Sequence, residues 1–461
     1  MTQLTRRGVL AGAAGIGSLA LLTTQWPRLT AADIPGRGDD ALTIAILGTN
    51  QDAEARQELV AAFNAVHPDI PVRIQAVQGA DWADFFAKIL TMVAAGTPPD
   101  ACVVATEGAQ LFAERLAEPL DEFVTRDAAE VAEYFSDVHP SLIEAFMYEG
   151  SLFQLPIDFN AANLYFNTAA MQRAGVEYPA ETWTHEDFLA VARQLRQGSD
   201  ARFVSFYWTN RLWGGIVPWL YSNDTSFLTE EKYLGGDWLW DRFYPAAKAD
   251  LSGGYRWRAS NALDPKVAEA FEFVRALVEE GLGTSPSQGG GNELVGQFSG
   301  GSIGMTPAGG FWVQGLIEAG LTPQDYDVAF FPQWRTQRHQ FGAAGYAILR
   351  TSRRKDEAWE WVKFCTSRAG MELAFPSPNT TPTRRSMCNE AFYSGKGPSH
   401  WKVFYDTLDR LPCAPIPAPP QQAAVETALI KNVPGAVTGS AAALPDALAR
   451  LDEDLNRALK R

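Results

Sequence analysis

Polar side chains interrupt an apolar strand in the segment PIDFNAANLYFN, residues 156–167. Asp158 and Asn160 are two residues apart, so in an extended strand both side chains project from the same face. A buried polar group without a hydrogen-bond partner costs about 1–3 kcal/mol. The pair must therefore either bond to loop backbone inside the fold or contact a ligand. The residues by themselves leave both alternatives open.

The chain has hydrogen-bonding and aromatic residues at positions where a ligand could contact them, and a sugar is one ligand that would use both kinds. Carboxylates and amides form hydrogen bonds with the hydroxyl edge of a sugar ring, and flat aromatic rings cover its apolar faces. Candidates for the ring edge are Asn50, Glu107, Asp158 and Asn160, and candidates for the ring face are Trp82, Trp208, Trp213, Trp312 and Tyr346. Trp312 follows Gly309 and Gly310, which have no side chain and let backbone approach a ligand closely. For each aromatic residue the alternative is a place in the core.

The elements that would position these residues form an α/β pattern. Residues 41–48 and 101–106 are unbroken apolar runs, residues 70–77 alternate as a strand, and helical spacing marks the segments between them. This order predicts an open, mainly parallel sheet with ligands at the carboxyl ends of its strands. Asn50 and Glu107 follow two of these ends. The length of 461 residues predicts two or three folded units.

The composition argues against several classes of function. A formal charge of −15 disfavours a nucleic-acid partner, because phosphate binding needs clustered lysine and arginine. The five histidines are scattered, and the sequence has no zinc-protease motif, nucleophile elbow or phosphate-binding loop. We therefore expect no enzyme, no metal and no cofactor. The best enzyme alternative is a glycosidase, in which Glu107 and Asp158 would be the two carboxylates.

The four cysteines have no metal-site spacing. They are Cys102, Cys365, Cys388 and Cys413. A disulfide between Cys388 and Cys413 and four free thiols both remain open from the sequence.

The first 31 residues read as an export signal. Arg6 and Arg7 precede a soft apolar run that is too short and too rich in glycine and alanine for a transmembrane helix. Adjacent arginines are typical of the twin-arginine route, and we place the cleavage site near Ala31 or Ala32. No cysteine lies at the end of the run to carry a lipid anchor. The sequence thus predicts a periplasmic protein.

Several segments in succession carry a family resemblance. They are FNAVHPDIPVRI, ILTMVAAGTPPDACVVAT, AERLAEPLDEFV, YEGSLFQLPIDFNAANLYFN, FSGGSIGMTPAGGFW, FGAAGYAILRTSRRKDEAWEWVKFCTS and TPTRRS. In number, order and spacing they resemble the extracellular solute-binding proteins of ABC importers, of the sugar-binding, maltose-binding-protein-like type. The resemblance covers the chain from Leu42 to the C-terminus.

The resemblance implies a two-lobe periplasmic-binding-protein fold of the α/β class, with discontinuous lobes joined by hinge strands and a ligand cleft between them. The first lobe would comprise residues 41–158 and 339–395, and the second residues 159–338 and 396–461. The segment at 156–167 would be the first hinge strand, which favours the cleft for Asp158 and Asn160. An aromatic residue at Trp312 commonly lies under the solute in this family.

The resemblance also implies a function and partners. The protein would be a monomer that captures a small carbohydrate-type solute, such as a sugar, oligosaccharide or polyol, and delivers it to a membrane permease. Arg384 in TPTRRS matches an arginine that family members often turn toward the cleft, and a salt bridge to an acid is the equal alternative. An arginine in the cleft would form bidentate hydrogen bonds with an anion. It would then favour glycerol phosphate or a glycerophosphodiester as the solute.

Overall fold

The computed structural model describes residues 41–286 and 292–460 of this chain. They form an α/β structure of two lobes, which confirms the predicted fold class. The predicted export signal lies outside the described residues. No helix in the described ranges is long and apolar enough to cross a membrane. All four cysteines lie within these ranges and are free, so the possible Cys388–Cys413 disulfide is absent.

The strands and helices are numbered separately in chain order. The strands are β1 Leu42–Leu47, β2 Val72–Val77, β3 Ala101–Ala105, β4 Met147–Tyr148, β5 Ser151–Leu152, β6 Leu155–Ala161, β7 Asn163–Asn167, β8 Val204–Phe206, β9 Leu228–Lys232, β10 Tyr255–Ser260, β11 Ile303–Ala308, β12 Tyr326–Ala329, β13 His339–Ile348, β14 Thr381–Pro382 and β15 Cys413–Pro415. The helices of the first half are α1 Asn50–Glu54, α2 Gln57–Val66, α3 Trp82–Ala94, α4 Thr106–Arg115, α5 Asp121–Arg126, α6 Ala128–Asp137, α7 Pro140–Glu144, α8 Thr168–Ala174, α9 His185–Arg196 and α10 Val217–Ser222. Those of the second half are α11 Asp237–Phe243, α12 Pro265–Glu279, α13 Asn292–Ser299, α14 Trp312–Glu318, α15 Lys355–Thr366, α16 Arg368–Ala374, α17 Glu390–Tyr393, α18 Val403–Arg410, α19 Gln422–Thr438 and α20 Leu444–Leu459.

The first lobe is built on a seven-stranded sheet in the order β14-β6-β13-β3-β1-β2, with β15 added beside β13. β1 pairs in parallel with β2 and β3, and helices connect the three strands, as the apolar spacing predicts. β13 runs antiparallel to β3 on one side and to β6 on the other. The sheet is therefore mixed, because the strands that come late in the sequence insert next to the early parallel ones.

The second lobe contains a four-stranded sheet in the order β12-β7-β11-β8. β6 ends at Ala161 in the first sheet and β7 begins at Asn163 in the second, so the segment at 156–167 passes from one lobe to the other. The first sheet continues three residues past the predicted boundary at Asp158. A second passage precedes β13. The third passage returns the chain to the second lobe. There Tyr393 packs with aromatic residues of that lobe, close to the predicted boundary at residue 395.

One part of the predicted second lobe packs into the first lobe instead. We call residues 228–260 the arm: β9 and β10 form its antiparallel hairpin, and residues 233–254, with α11, form its tip. Leu239 and Trp240 of the tip are at most 1% exposed and belong to the hydrophobic core of the first lobe. Assigning residues 159–338 as a whole to the second lobe is thus a simplification, which local sequence patterns could not reveal.

Candidate functional site

The floor of the cleft lies where the two hinge strands pair. Ala344 of β13 is paired with Ala105 of β3 on one side and with Asp158 of β6 on the other. Neighbouring strands are about 4.8 Å apart, so Asp158 and the end of β3 stand roughly 10 Å apart across β13. Residues 342–345 of β13 are Gly-Ala-Ala-Gly, with nothing larger than a methyl group. Glu107, in the first turn of α4, follows directly after β3.

Asp158 and Asn160, the first two polar residues of the hinge segment, form different hydrogen bonds. Asp158 accepts hydrogen bonds from the amide of Ala344 (3.1 Å) and the hydroxyl of Thr380 (2.9 Å). Asn160 donates to Thr380 Oγ1 at 3.2 Å, and its Oδ1 accepts the amide of Phe311 at 3.1 Å. Asn160 therefore connects the hinge strand to the second lobe. Both side chains are partly exposed, but only Asp158 belongs to the group of carboxyls described below.

Two aromatic side chains of the second lobe form a corner beside this floor. The rings of Trp213 and Phe311 meet edge to face with centroids 5.1 Å apart. Phe311 is 40% exposed, which is unusual for a phenylalanine, and Trp213 is partly exposed. A Cβ atom at Gly342 would lie 3.0 Å from the Trp213 indole, so a larger side chain there would have to displace the ring. The corner therefore leaves part of both apolar rings accessible beside the floor.

Three of the predicted ring-face residues lie in the core instead. Trp208 is 1% exposed, and its indole N–H donates to the carbonyl of Thr284 at 3.1 Å. Trp312 is buried and meets Tyr165 edge to face at 5.5 Å. Tyr346 is buried against Trp361 in the first lobe. Each of the three is enclosed by packed side chains, so none of them presents a ring face to the cleft in this structure.

Sequence reasoning missed Phe311, the immediate neighbour of Trp312. α14 begins at Trp312, and its buried residues are Trp312, Val313 and Leu316, which fall on one helical face. Phe311 precedes this face and stays outside it. If the helix is taken to begin directly after Gly309 and Gly310, helical periodicity puts Trp312 on the buried face and leaves Phe311 exposed. Gly310 sits below it: a Cβ there would lie 2.3 Å from Thr381 Oγ1, so the turn requires glycine.

The remaining predicted residues lie at the edge of the cleft or away from it. Trp82 begins α3, is partly exposed and stacks on Phe86 with centroids 5.9 Å apart. The adjacent Asp81 caps the N-terminus of α3. Its carboxylate also forms a 3.2 Å ion pair with Arg211 of the second lobe, so the two lobes are in contact across the cleft. Asn50 is exposed in the first turn of α1. None of the described contacts joins Asn50 to the floor.

Arg384 lies inside the first lobe and not in the cleft. It is 2% exposed, and its Nε donates to the carbonyl of Thr366 at 2.9 Å. Its Nη1 lies 3.2 Å from Glu133 and 3.4 Å from Asp137. The salt-bridge alternative is therefore the one that the structure shows, and the role in binding an anionic solute is wrong.

The cleft floor carries a group of carboxyls with shifted pKa values. Burial raises the pKa of Glu107 to about 7, and the charges of Glu426 and Asp158 raise it further. Burial raises the pKa of Asp158 to about 6, although the hydrogen bond from Thr380 lowers it. Burial also raises the pKa of Glu426, which comes from α19 near the C-terminus. The site is thus rich in carboxyl groups that can form hydrogen bonds with a ligand.

The raised pKa of Glu107 predicts how stability depends on pH. The folded protein keeps a proton that the unfolded chain releases near pH 4.5, so the free energy of unfolding falls as the pH rises from about 4.5 to about 7. Glu107→Gln removes this loss. We expect the variant to be more stable than the wild type by about 1–3 kcal/mol at pH 8, and equal to it at pH 4. Urea unfolding at the two pH values measures the difference.

Glu453→Gln is the matched control, because Glu453 is exposed on α20. It should change stability little at either pH. A Glu107→Gln variant that is less stable than the wild type at pH 8 would show that the cleft stabilises the Glu107 carboxylate, which contradicts a pKa raised by burial.

Comparison with known proteins decides the family. Residues 48–372 match the family described as bacterial extracellular solute-binding protein, which is more than half of the chain. This chain belongs to that family. The predicted family is therefore confirmed, and the cleft between the lobes is the place where a solute-binding protein is expected to hold its solute.

Relatives of this solute-binding protein are distant in sequence and close in fold. A putative binding protein of Brucella abortus is 23% identical over 325 residues, 67% of each chain. An ABC substrate-binding protein from Listeria monocytogenes, in complex with cycloalternan, is 18% identical with a TM-score of 0.71, covering 91% of this chain and 99% of that one. A solute-binding protein from Thermotoga lettingae, bound with α-D-tagatose, has the same identity and TM-score and covers 91% and 100%. At such identities the similarity shows the two-lobed fold.

Proposed function

We propose that this solute-binding protein captures a small, uncharged carbohydrate in the cleft between its lobes. The observation that supports this most is that two kinds of surface lie on the two lobes. The carboxyls Glu107 and Asp158 lie on the floor in the first lobe. The aromatic corner of Trp213 and Phe311 belongs to the second lobe. Acceptors on one side and apolar faces on the other match the two kinds of surface of a sugar. The Listeria and Thermotoga proteins hold cycloalternan and α-D-tagatose in the same fold.

Capture proceeds by closure of the lobes on the solute. Glu107 and Asp158 belong to the first lobe, and Trp213 and Phe311 to the second, so a solute touches all four only when the lobes are together. Binding therefore favours the closed form by its differential affinity for that form. The closed protein then delivers the solute to the permease of an ABC importer. Twin-arginine export to the periplasm is part of the same proposal.

The glycerophosphate alternative is weaker than it was from the sequence. Its one specific support was Arg384, which is buried in a salt bridge within the first lobe. The carboxyls of the cleft disfavour a phosphate group, because like charges repel. We propose no catalysis: the family consists of binding proteins, and we expect a bound sugar to be released unchanged.

A thermal-shift panel on the protein from residue 32 tests the proposed function. The panel contains neutral mono- and oligosaccharides, including maltose, together with polyols, glycerol 3-phosphate and glycerophosphodiesters. A ligand at 100 times its dissociation constant adds about 2.7 kcal/mol to the free energy of unfolding. We expect selective stabilisation by a neutral sugar or oligosaccharide. Stabilisation by the phosphate compounds alone would contradict the proposal, and release of reducing sugar on long incubation would indicate a glycosidase.

A further inference from the structure

The arm of residues 228–260 connects the two lobes in addition to the hinge strands. Its tip inserts apolar side chains into the first lobe: Leu239 and Trp240 are almost fully buried in the core cluster of that lobe. The ring of Phe243 stacks on Phe135 of α6 with centroids 4.2 Å apart. These are core contacts, which are costly to break when the lobes move.

Polar contacts satisfy a buried charge at the same interface. Glu144 of the first lobe has a side chain only 3% exposed, and Lys232 of the arm forms a 2.9 Å ion pair with it. The hydroxyl of Ser252 donates to the same carboxylate at 2.6 Å. The indole of Trp238 donates to the carbonyl of Gly150 at 3.1 Å. Undocking the tip would leave Glu144 without these partners, which adds to the cost of separation.

Glycines let the two backbones come into direct contact. The amide of Gly150 donates to the carbonyl of Gly253 at 3.0 Å. A Cβ at Gly254 would lie 2.1 Å from the carbonyl oxygen of Met147, and one at Gly253 would lie 2.9 Å from the Cα of Gly150. The surfaces of the tip and of the β4–β5 turn therefore fit each other at backbone level.

The base of the arm is fixed to the second lobe. Tyr255 and Trp257 stack on each other and belong to the core cluster of that lobe. Glu230 forms a 2.6 Å ion pair with Arg338, and the hairpin register shifts between Trp257 and Ser260. A register shift bends and twists a hairpin locally. The arm is thus held at both ends, by the first lobe at its tip and by the second lobe at its base.

The arm is docked on the first lobe while the two lobes also contact each other across the cleft. In the same structure Asp81 of the first lobe and Arg211 of the second lie 3.2 Å apart across the cleft. We propose that the arm is a tether that limits how far the two lobes separate in the solute-free protein. Its tip moves with the first lobe, and the lobes separate only as far as the hairpin bends.

Small-angle X-ray scattering of the solute-free protein tests this tether. Trp238→Phe combined with Phe243→Ala removes the bond to Gly150 and the stack on Phe135, and neither substitution touches the cleft. We expect the double variant to have a larger radius of gyration than the wild type. Leu234→Ser is the matched control, because Leu234 lies on the same arm and is 94% exposed. It should scatter like the wild type.

A milder variant covers the case in which the first one does not fold. Tyr244→Phe with Ser252→Ala removes only the hydroxyl that donates to the carbonyl of Val138 and the one that donates to Glu144. It should also raise the radius of gyration, by less. Folded double variants that both keep the radius of the control would overturn the tether. No solute enters these measurements, so their outcome is independent of the proposed function.

Discussion

Trp213→Ala should weaken binding of the sugar that gives the largest thermal shift by more than tenfold, without loss of the fold. The indole forms half of the aromatic corner and lies against Gly342 of the hinge strand. The indole is only partly buried, so its removal leaves no large cavity. The substitution would remove an aromatic surface on which the solute stacks and from which closure of the lobes excludes water. Titration calorimetry measures the affinity, and urea unfolding checks the stability.

Trp312→Ala is the matched control, and it should show the opposite pattern. Trp312 is 3% exposed and packs against Tyr165 and Phe298. Truncating a core tryptophan costs about 3–5 kcal/mol, so this variant should lose stability first. If Trp312→Ala lost affinity at full stability while Trp213→Ala bound normally, the aromatic corner would not be the solute surface.

Arg384→Met should destabilise the protein by about 2–4 kcal/mol and leave the sugar affinity of the folded fraction unchanged. The substitution removes the hydrogen bond to Thr366 and the pairing with Glu133 and Asp137. Asp137 is mostly buried but keeps two hydrogen bonds from Ser386 and the ion pair with Arg368, and Glu133 is 69% exposed and can turn to water. The expected cost is therefore below that of a fully buried pair.

Arg384→Lys provides the graded comparison. Lysine keeps the charge but cannot place donors on Thr366 and both acids at once, because it lacks the planar fork of arginine. Its stability, measured by urea unfolding, should lie between those of the wild type and Arg384→Met. A selective loss of binding to phosphate compounds in Arg384→Met, with stability preserved, would restore arginine to the cleft and revive the glycerophosphate alternative.

Local patterns predicted a large part of this fold. The apolar runs of β1 and β3 and the alternation in β2 identify parallel strands, because burial on one or two faces leaves a periodic trace in a single segment. The hinge segment was also recognisable, since its polar residues interrupt an apolar strand at positions that share a face. Of the candidate site, Glu107, Asp158 and Trp213 were named from residue type and position, and they lie at or beside the cleft floor.

Long-range packing decided the rest. Whether Trp208, Trp312 or Phe311 faces solvent depends on which distant elements cover it, and one residue of helical phase separates the buried Trp312 from the exposed Phe311. Glu426 joins the carboxyl group from α19, more than 300 residues after Glu107. No local pattern connects positions so far apart.

The sequence by itself predicted the α/β class from the periodicity of its segments, and it indicated the family through the resemblance of its motifs in order and spacing. Only the tertiary structure decided that Arg384 is a structural ion pair and that the arm tip belongs with the first lobe. The physical reason is the same in both cases. A charge or an apolar face needs a partner, and the sequence shows that need without showing which of many distant partners meets it.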